Sequence, residues 1–333
     1  MKRANLRVET HAHVTRILFE GTRATGVEYV KAGVTRQAVA AREVIVSGGA
    51  INSVQLLQLS GIGPAKLLQR HGIHVQSGNP NVGAHLQDHV GINYTWRMKV
   101  PTLNDELRPW WGKLRVGLKY ILTRRGPLSL SVNHAGGFFR TSPELTRPNM
   151  QLYMQAFSTL IPKNGERPLL TPDPFPGLSL GLSNCRPTSR GEIAIKSANP
   201  LEHPRITANA FSTEHDVKEM LLAVKFLRKI AGQQPLAGRM AEELRPGPKC
   251  HSDEQLIADF RRRSGTVYHP SCTCRMGPDP ATSVVDGRFK VHGISNLRVC
   301  DASAFPSLIG GNTNGPAMMM GWRGAGFILE DAR

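Results

Sequence analysis

A mixed α/β fold is what this sequence predicts, and three stretches carry the prediction. Near the start, Leu6, Val8, Thr10, Ala12 and Val14 alternate with polar residues, the mark of a half-buried strand. Further on, Val44-Ile45-Val46 enters Ser47-Gly48-Gly49 and emerges into a helical pattern of Ile51, Val54, Leu56, Leu57 and Leu59. From Glu214 to Ala231, the residues Val217, Met220, Leu221, Val224, Phe226, Leu227 and Ile230 make one apolar face of a core helix. A chain of 333 residues, 40% hydrophobic and 20% charged, has enough apolar surface for one large domain or two ordinary ones. No apolar stretch approaches the eighteen or so residues of a membrane span. Met1-Lys2-Arg3-Ala4-Asn5 has no apolar segment behind it, so no secretory signal is expected.

The remaining elements follow in order. Ile17-Leu18-Phe19 extends the first strand, Gly21 to Gly26 turns it, and Val27 to Val30 returns. A third strand from Ala38 to Val46 completes a meander. The helix after Gly49 stops at Ser60-Gly61, and Pro64 opens a second one ended by Gly72. The Gly-Gly turn is expected to leave backbone N–H groups open to an anion or a cofactor. Between Asn93 and Ser264 the sequence predicts a helix over Trp110 to Leu122 and a strand at Gly136-Gly137-Phe138-Phe139. A loop with five prolines follows from Pro162 to Pro176, then a strand at Ile193 to Ile195. From Tyr268 onward the chain is dense in Gly, Pro, Cys, His and Asn, the composition of loops that carry function.

Lys and Arg number 42 against 25 Asp and Glu, a net charge of +17. The basic residues are scattered, with Arg261-Arg262-Arg263 the densest run, and they do not interleave with aromatics. This favours a solvated basic surface that attracts anionic cofactors, acidic partners or a membrane surface, and no nucleic acid is expected as a partner. The five cysteines (Cys185, Cys250, Cys272, Cys274 and Cys300) form no disulfide framework and no zinc spacing, so packing in a reducing, cytoplasmic compartment is expected. No metal is expected.

Four segments then stand in a fixed order. They are Gly49-Ala50-Ile51-Asn52-Ser53-Val54-Gln55-Leu56-Leu57-Gln58-Leu59-Ser60-Gly61-Ile62-Gly63, Val82-Gly83-Ala84-His85-Leu86-Gln87-Asp88-His89, Tyr268-His269-Pro270-Ser271-Cys272-Thr273-Cys274-Arg275-Met276-Gly277, and Asn296-Leu297-Arg298-Val299-Cys300-Asp301-Ala302-Ser303 followed by Asn312-Thr313-Asn314. In this order they resemble the glucose–methanol–choline (GMC) family of flavin oxidoreductases, nearest its choline- and alcohol-dehydrogenase branch. Val54 departs from the proline or serine usual there. The family opens with a G-x-G-x-x-G turn, and none occurs in this chain. The resemblance therefore implies an N-terminally truncated member lacking the largest phosphate anchor of its cofactor.

The resemblance implies an α/β protein with an α+β part. An incomplete FAD-binding domain would comprise residues 1–92 and the C-terminal return at 265–333. Residues 93–264 would be a substrate domain on an antiparallel sheet. The implied activity is oxidation of choline or another primary alcohol to the aldehyde, with hydride transfer to FAD and a quinone or similar acceptor. The alternatives are a cofactor-free remnant acting only as an interaction module, and an oxidase or lyase of the same family. His269 aligns with the family's catalytic histidine, and Asn312 with its second active-site position. Val14, Asp301, Ala302, Asn312 and Thr313 align with cofactor contacts. Asp88-His89 is expected to shape the neighbouring segment and Arg190 to be structural.

Alcohol chemistry explains why such groups are needed. A hydroxyl with pKa near 15.7 sits about nine units above an imidazole near 6.5, roughly 12 kcal/mol. Histidine cannot pre-form the alkoxide, so the proton must leave in step with the hydride, or the oxygen must be stabilised as charge develops. Asn312 would supply an amide N–H for that oxygen, though Gly310-Gly311-Asn312 also reads as an ordinary turn, and Asp301 could cap one. Val14 reads equally as an inward strand residue. Gly315-Pro316 is expected to start a helix reaching Asp331, and Met318-Met319-Met320 to pack in the core. Trp96, Trp110 and Trp111 are available to face a quaternary ammonium, or to form a structural belt.

Overall fold

A computed structural model describes residues 3–159 and 171–332, so the proline-rich loop expected from Pro162 lies outside the described residues up to position 170. The chain forms two compact units. The first comprises Met1–Asp88, Ser189–Ala210 and Tyr268–Arg333, and the second His89–Thr188 and Phe211–Val267.

Along the chain, the first segment carries β1 (His13–Glu20), β2 (Arg23–Lys31), β3 (Val34–Val39), β4 (Val44–Val46), α1 (Gly49–Leu59), β5 (Ile62–Gly63), α2 (Ala65–Arg70) and β6 (Ser77–Gly78). Next come β7 (Val90–Met98), α3 (Leu103–Leu107), α4 (Trp110–Thr123), β8 (Ala135–Phe139), β9 (Met150–Gln155) and β10 (Gly177–Asn184). After β11 (Glu192–Ala194) and β12 (Arg205–Thr207) follow α5 (Glu214–Ala231), α6 (Leu236–Arg239), β13 (Met240–Arg245), α7 (Asp253–Arg263) and β14 (Gly265–Thr266). The chain ends with β15 (Leu297–Val299) and α8 (Asn314–Asp331).

In the first unit β1, β2 and β3 form an antiparallel meander. The expected strand over Leu6 to Ala12 is absent. Pairing begins at His13, opposite Val30 near the end of β2, so the earlier residues have no partner strand and Leu6 and Val8 stay exposed. The expected strand from Ala38 to Val46 is two strands in different sheets. β3 ends at Val39, and β4 pairs in parallel with β15, Ile45 opposite Arg298. Glu43, in the connection, makes a 2.7 Å ion pair with the buried Arg298, whose other amino group reaches Asp331 at 2.6 Å. Arg298 thus ties the start of β4 to the end of α8, and hydrogen bonds from Lys290, Arg298 and Arg288 hold the Asp331 carboxyl well below the usual carboxylate range.

Boundaries from the sequence stood at 92/93 and 264/265, whereas the units divide at Asp88/His89 and Val267/Tyr268, and Ser189–Ala210 lies in the first unit. Hydrogen bonds explain that excursion. Leu86 and Gly191 exchange both backbone bonds, and Gln58 on α1 receives Ile195 N–H while donating to the Ile193 carbonyl.

The second unit is built on an antiparallel sheet ordered β13-β7-β10-β9-β8, with β14 also on β7. The apolar face of α5 covers it: Met220, Val224 and Leu227 are buried with Leu180, Leu182 and Ile92, and Phe226 stacks on Phe139 at 4.3 Å. Trp96 is buried on β7, but Trp110 and Trp111 are exposed on α4, so the three form no structural belt. Among the described residues no helix is long and apolar enough to cross a membrane.

Candidate active site

Gln87 and Asp88 organise the loops of the first unit. The Gln87 backbone pairs antiparallel with Ser271, its N–H reaching the Ser271 carbonyl at 3.2 Å and its carbonyl receiving the Ser271 N–H at 2.9 Å. The Gln87 side-chain carbonyl accepts the N–H of Leu308 at 3.1 Å, and Asp88 Oδ1 accepts the N–H of His269 at 3.0 Å. One short segment therefore grips two loops separated by some forty residues of sequence. Gly83 lets that segment lie close: it has φ +91°, and a Cβ there would fall 2.2 Å from the Ile193 carbonyl oxygen.

The two gripped loops bring His269 and Asn312 together. Asn312 Nδ2 lies 3.5 Å from His269 Nε2, at the outer limit of a hydrogen bond. His269 is half-buried and Asn312 exposed. Burial pushes the His269 imidazole below its usual pKa, and the Asp88 charge opposes that shift in part. The ring is therefore held neutral at pH 7. Backbone strain marks the loop: Tyr268 and Cys272 both adopt left-handed conformations, at φ 66° and 70°.

Thr313 follows as the N-cap residue of α8, without a side-chain capping bond. The helix begins at Asn314, not at Gly315-Pro316, because the Thr313 carbonyl already accepts Ala317 N–H at 2.9 Å and closes the first turn. Of the methionine run only Met320 is buried; Met318 and Met319 are exposed, on the outer side of the helix.

Both carboxylate oxygens of Asp301 have partners within the chain. Its Oδ1 accepts Ser303 N–H at 2.7 Å, capping the turn Ala302–Ala304, while Oδ2 accepts Gly49 N–H at 3.0 Å and the Ser53 hydroxyl at 2.5 Å. Ser53 in turn accepts Gly48 N–H at 2.9 Å. The donors expected to be free at the Gly-Gly turn are thus taken within the chain. Parallel pairing of β15 with β4 causes this, since it delivers the residues after Val299 to the N-terminus of α1. Ala302 is half-buried, and its carbonyl accepts Cys272 N–H at 3.1 Å, so it joins the wall beneath the His269 loop.

Val14, in β1, lies on the wall of an open cavity of about 820 Å³. Val27, Val44, Gly48, Asn52 and Leu56 also line it. Cys272, Cys274 and Cys300 are buried in the core of this unit, their thiols unoxidised; burial pushes Cys272 up to about 11 and Cys274 higher still. Those values leave no thiolate for chemistry at pH 7, and the cysteines act in packing.

Sequence reasoning passed over Gln87 and Ser53. Both lie inside quoted motifs. What could have singled them out is that each is a buried polar residue, which must find hydrogen-bond partners.

Comparison with known proteins identifies the family. Family models described as GMC oxidoreductase match residues 1–91 and 187–321. The chain is 41% identical over 330 residues to the mitochondrial choline dehydrogenase of Homo sapiens, covering 98% of this chain and 54% of that protein. It is 40% identical over 331 residues to an alcohol dehydrogenase [acceptor] of Pseudomonas putida, covering 98% and 59% respectively. The chain thus spans little more than half the length of these relatives. Its fold superposes on a formate oxidase of Aspergillus oryzae RIB40, in a structure concerned with FAD modification, with TM-score 0.87 and 26% identity over 96% of this chain and 60% of that one. Both halves of the first unit and the order of its motifs lead to one conclusion: the chain belongs to the GMC oxidoreductase family.

Proposed function

We propose that this chain carries the reacting end of an FAD-dependent dehydrogenase that oxidises choline or another primary alcohol to the aldehyde. The observation that carries the reading is the approach of His269 Nε2 and Asn312 Nδ2 to 3.5 Å at the surface of one unit. A substrate oxygen placed within hydrogen-bond distance of both meets a base and a donor at once.

The residues present suit FAD in one respect and not in another. The cavity beside Val14, about 820 Å³, falls within the roughly 300–1,000 Å³ of cofactor sites and is walled by apolar strands. The Gly48-Gly49 turn, by contrast, offers no phosphate anchor, because Ser53 and Asp301 occupy its donors. Val14 would hold the adenine side, and Asp301, Ala302, Asn312 and Thr313 the remainder. When bound, FAD would supply the hydride acceptor, with a quinone or similar compound as the final electron acceptor.

The chain's own residues manage the proton. As the C–H bond of RCH₂OH breaks with its electron pair, the O–H bond breaks and its proton goes to His269 Nε2, leaving RCHO. The neutral imidazole that burial enforces is the form able to accept it. The Asn312 amide N–H donates to the oxygen as negative charge gathers there and fixes its orientation. The N-terminal end of α8, beginning two residues later, adds a positive partial charge. Asp88 positions the His269 backbone. A basic chain in this role also suits contact with a membrane surface, where a lipid-soluble quinone would be met.

The test is purification of the chain in the presence of FAD, followed by single-turnover bleaching of the flavin with choline and with simple primary alcohols. His269→Ala is expected to slow bleaching by about 10²–10⁴. A colourless protein, or an unaltered rate in the variant, overturns the reading.

A further inference from the structure

We infer that α4 and the turn after it form a docking surface for an anionic phospholipid bilayer. The inference rests on the membrane contact proposed above and gives it a place, within the second unit alone. At about 100° per residue, Trp110, Trp111, Leu114, Leu118, Ile121 and Leu122 fall within one arc of about 120°. That arc is the exposed one: Trp110 is 75% exposed, Ile121 65% and Leu122 80%. The helix is held from the opposite side, through the buried Gly112 and Val116. Gly112 sits so close that a Cβ would fall 2.0 Å from the Glu106 carbonyl oxygen. A surface helix ordinarily turns its apolar stripe to the core and its polar face to water. Here the order is reversed, and Leu128 and Leu130 extend the exposed apolar surface past the helix end.

Charge decides what covers it. Between Glu106 and Glu144 the chain has no carboxylate and seven Lys or Arg residues. Lys113 flanks the arc on one side, Arg115 and Lys119 on the other, and Arg124-Arg125 closes the helix. Arg115 pairs with Glu106 at 3.1 Å, and among the described residues the other four have no carboxylate within ion-pair distance. Two copies docked through this face would bring those cations together, which like-charge repulsion opposes. An anionic headgroup layer accepts them, while Trp rings and aliphatic side chains enter the interfacial region. Fourteen residues of helix span about 21 Å, which suits lying in the plane of the interface.

Flotation of the purified chain with phosphatidylglycerol/phosphatidylcholine vesicles, against pure phosphatidylcholine vesicles, tests this without any measurement of activity, so its outcome stands apart from the fate of the oxidation chemistry. Binding to the mixed vesicles alone is expected, with Trp110→Ser/Leu122→Ser weakening it on the order of tenfold or more. Both residues are largely exposed, and circular dichroism of the double variant should match the parent. Lys113→Glu/Lys119→Glu should weaken binding as well, and added salt should do the same. The proposal is overturned by absence of vesicle binding, by binding that the Trp110/Leu122 variant leaves unchanged, or by concentration-dependent dimers, without vesicle binding, that the same variant abolishes.

Discussion

The loop that carries His269 and the helix α4 solve opposite problems. The loop from Tyr268 to Met276 has no regular structure and two left-handed residues, yet its backbone is tethered to Asp88, Gln87, Gly83, Ala302, Ser303 and Ala304. α4 is regular over fourteen residues, yet only Gly112 and Val116 are buried against the rest of its unit. Regular hydrogen bonding is therefore a poor guide to which region is held in place. A reacting group is fixed by tethers from distant segments. A helix that keeps its apolar face outward is held by fewer contacts, here through Gly112 and Val116 on its inner side.

If that contrast is right, substitutions in the loop system should be costly and those on α4 cheap. The largest effect is expected at His269 itself, where His269→Gln, which keeps a polar side chain, should lower flavin bleaching by about 10²–10⁴, while urea unfolding shows near-parental stability. Gly83→Ala combines an unfavourable φ with a clash against the Ile193 carbonyl, and should cost a few kcal/mol of stability in the same unfolding experiment. A parental midpoint would show that the Gln87–Asp88 grip tolerates displacement.

The pH response sharpens the comparison further. His269 is held below its ordinary pKa, so between that ordinary value and the lowered one the unfolded chain binds a proton that the folded chain refuses. Stability from this residue is complete above pH 6.5 and is lost as the pH falls below it, and the acid limb of the rate should lie below pH 6.5 too. Asp88 raises the imidazole pKa, so Asp88→Asn should move that limb to lower pH. An unmoved limb would mean that Asp88 serves only the backbone. The smallest effect is expected on α4: Leu122→Ser should change the unfolding free energy by no more than about 0.5 kcal/mol. A loss of several kcal/mol would show that the exposed arc has a partner within the chain.

Much of this was legible in the sequence. The periodicity of Val217 to Ile230 foretold α5, the run Trp110 to Leu122 foretold α4 nearly to the residue, and Gly61 and Gly72 marked the ends of α1 and α2. The nearness of His269 and Asn312 came from motif resemblance, since no local pattern links positions 43 apart. Other features were hidden for physical reasons. The apolar character of Ala38 to Val46 is shared by two strands, the second drawn into another sheet by pairing with β15, far along the chain. The outward face of α4 was hidden because periodicity shows that a helix has an apolar side, not which side meets water.

The carboxylate of Asp301 at the mouth of α1 has a consequence for discrimination. At that turn the Gly48 and Gly49 amide hydrogens are both taken and a carboxylate stands beside them, so a phosphoryl oxygen would meet like charge there, while a sugar hydroxyl or an amino group would find an acceptor. Asp301→Asn would neutralise the rebuff, turning a latch between two remote stretches of polypeptide into a neutral contact that an oxyanion could displace.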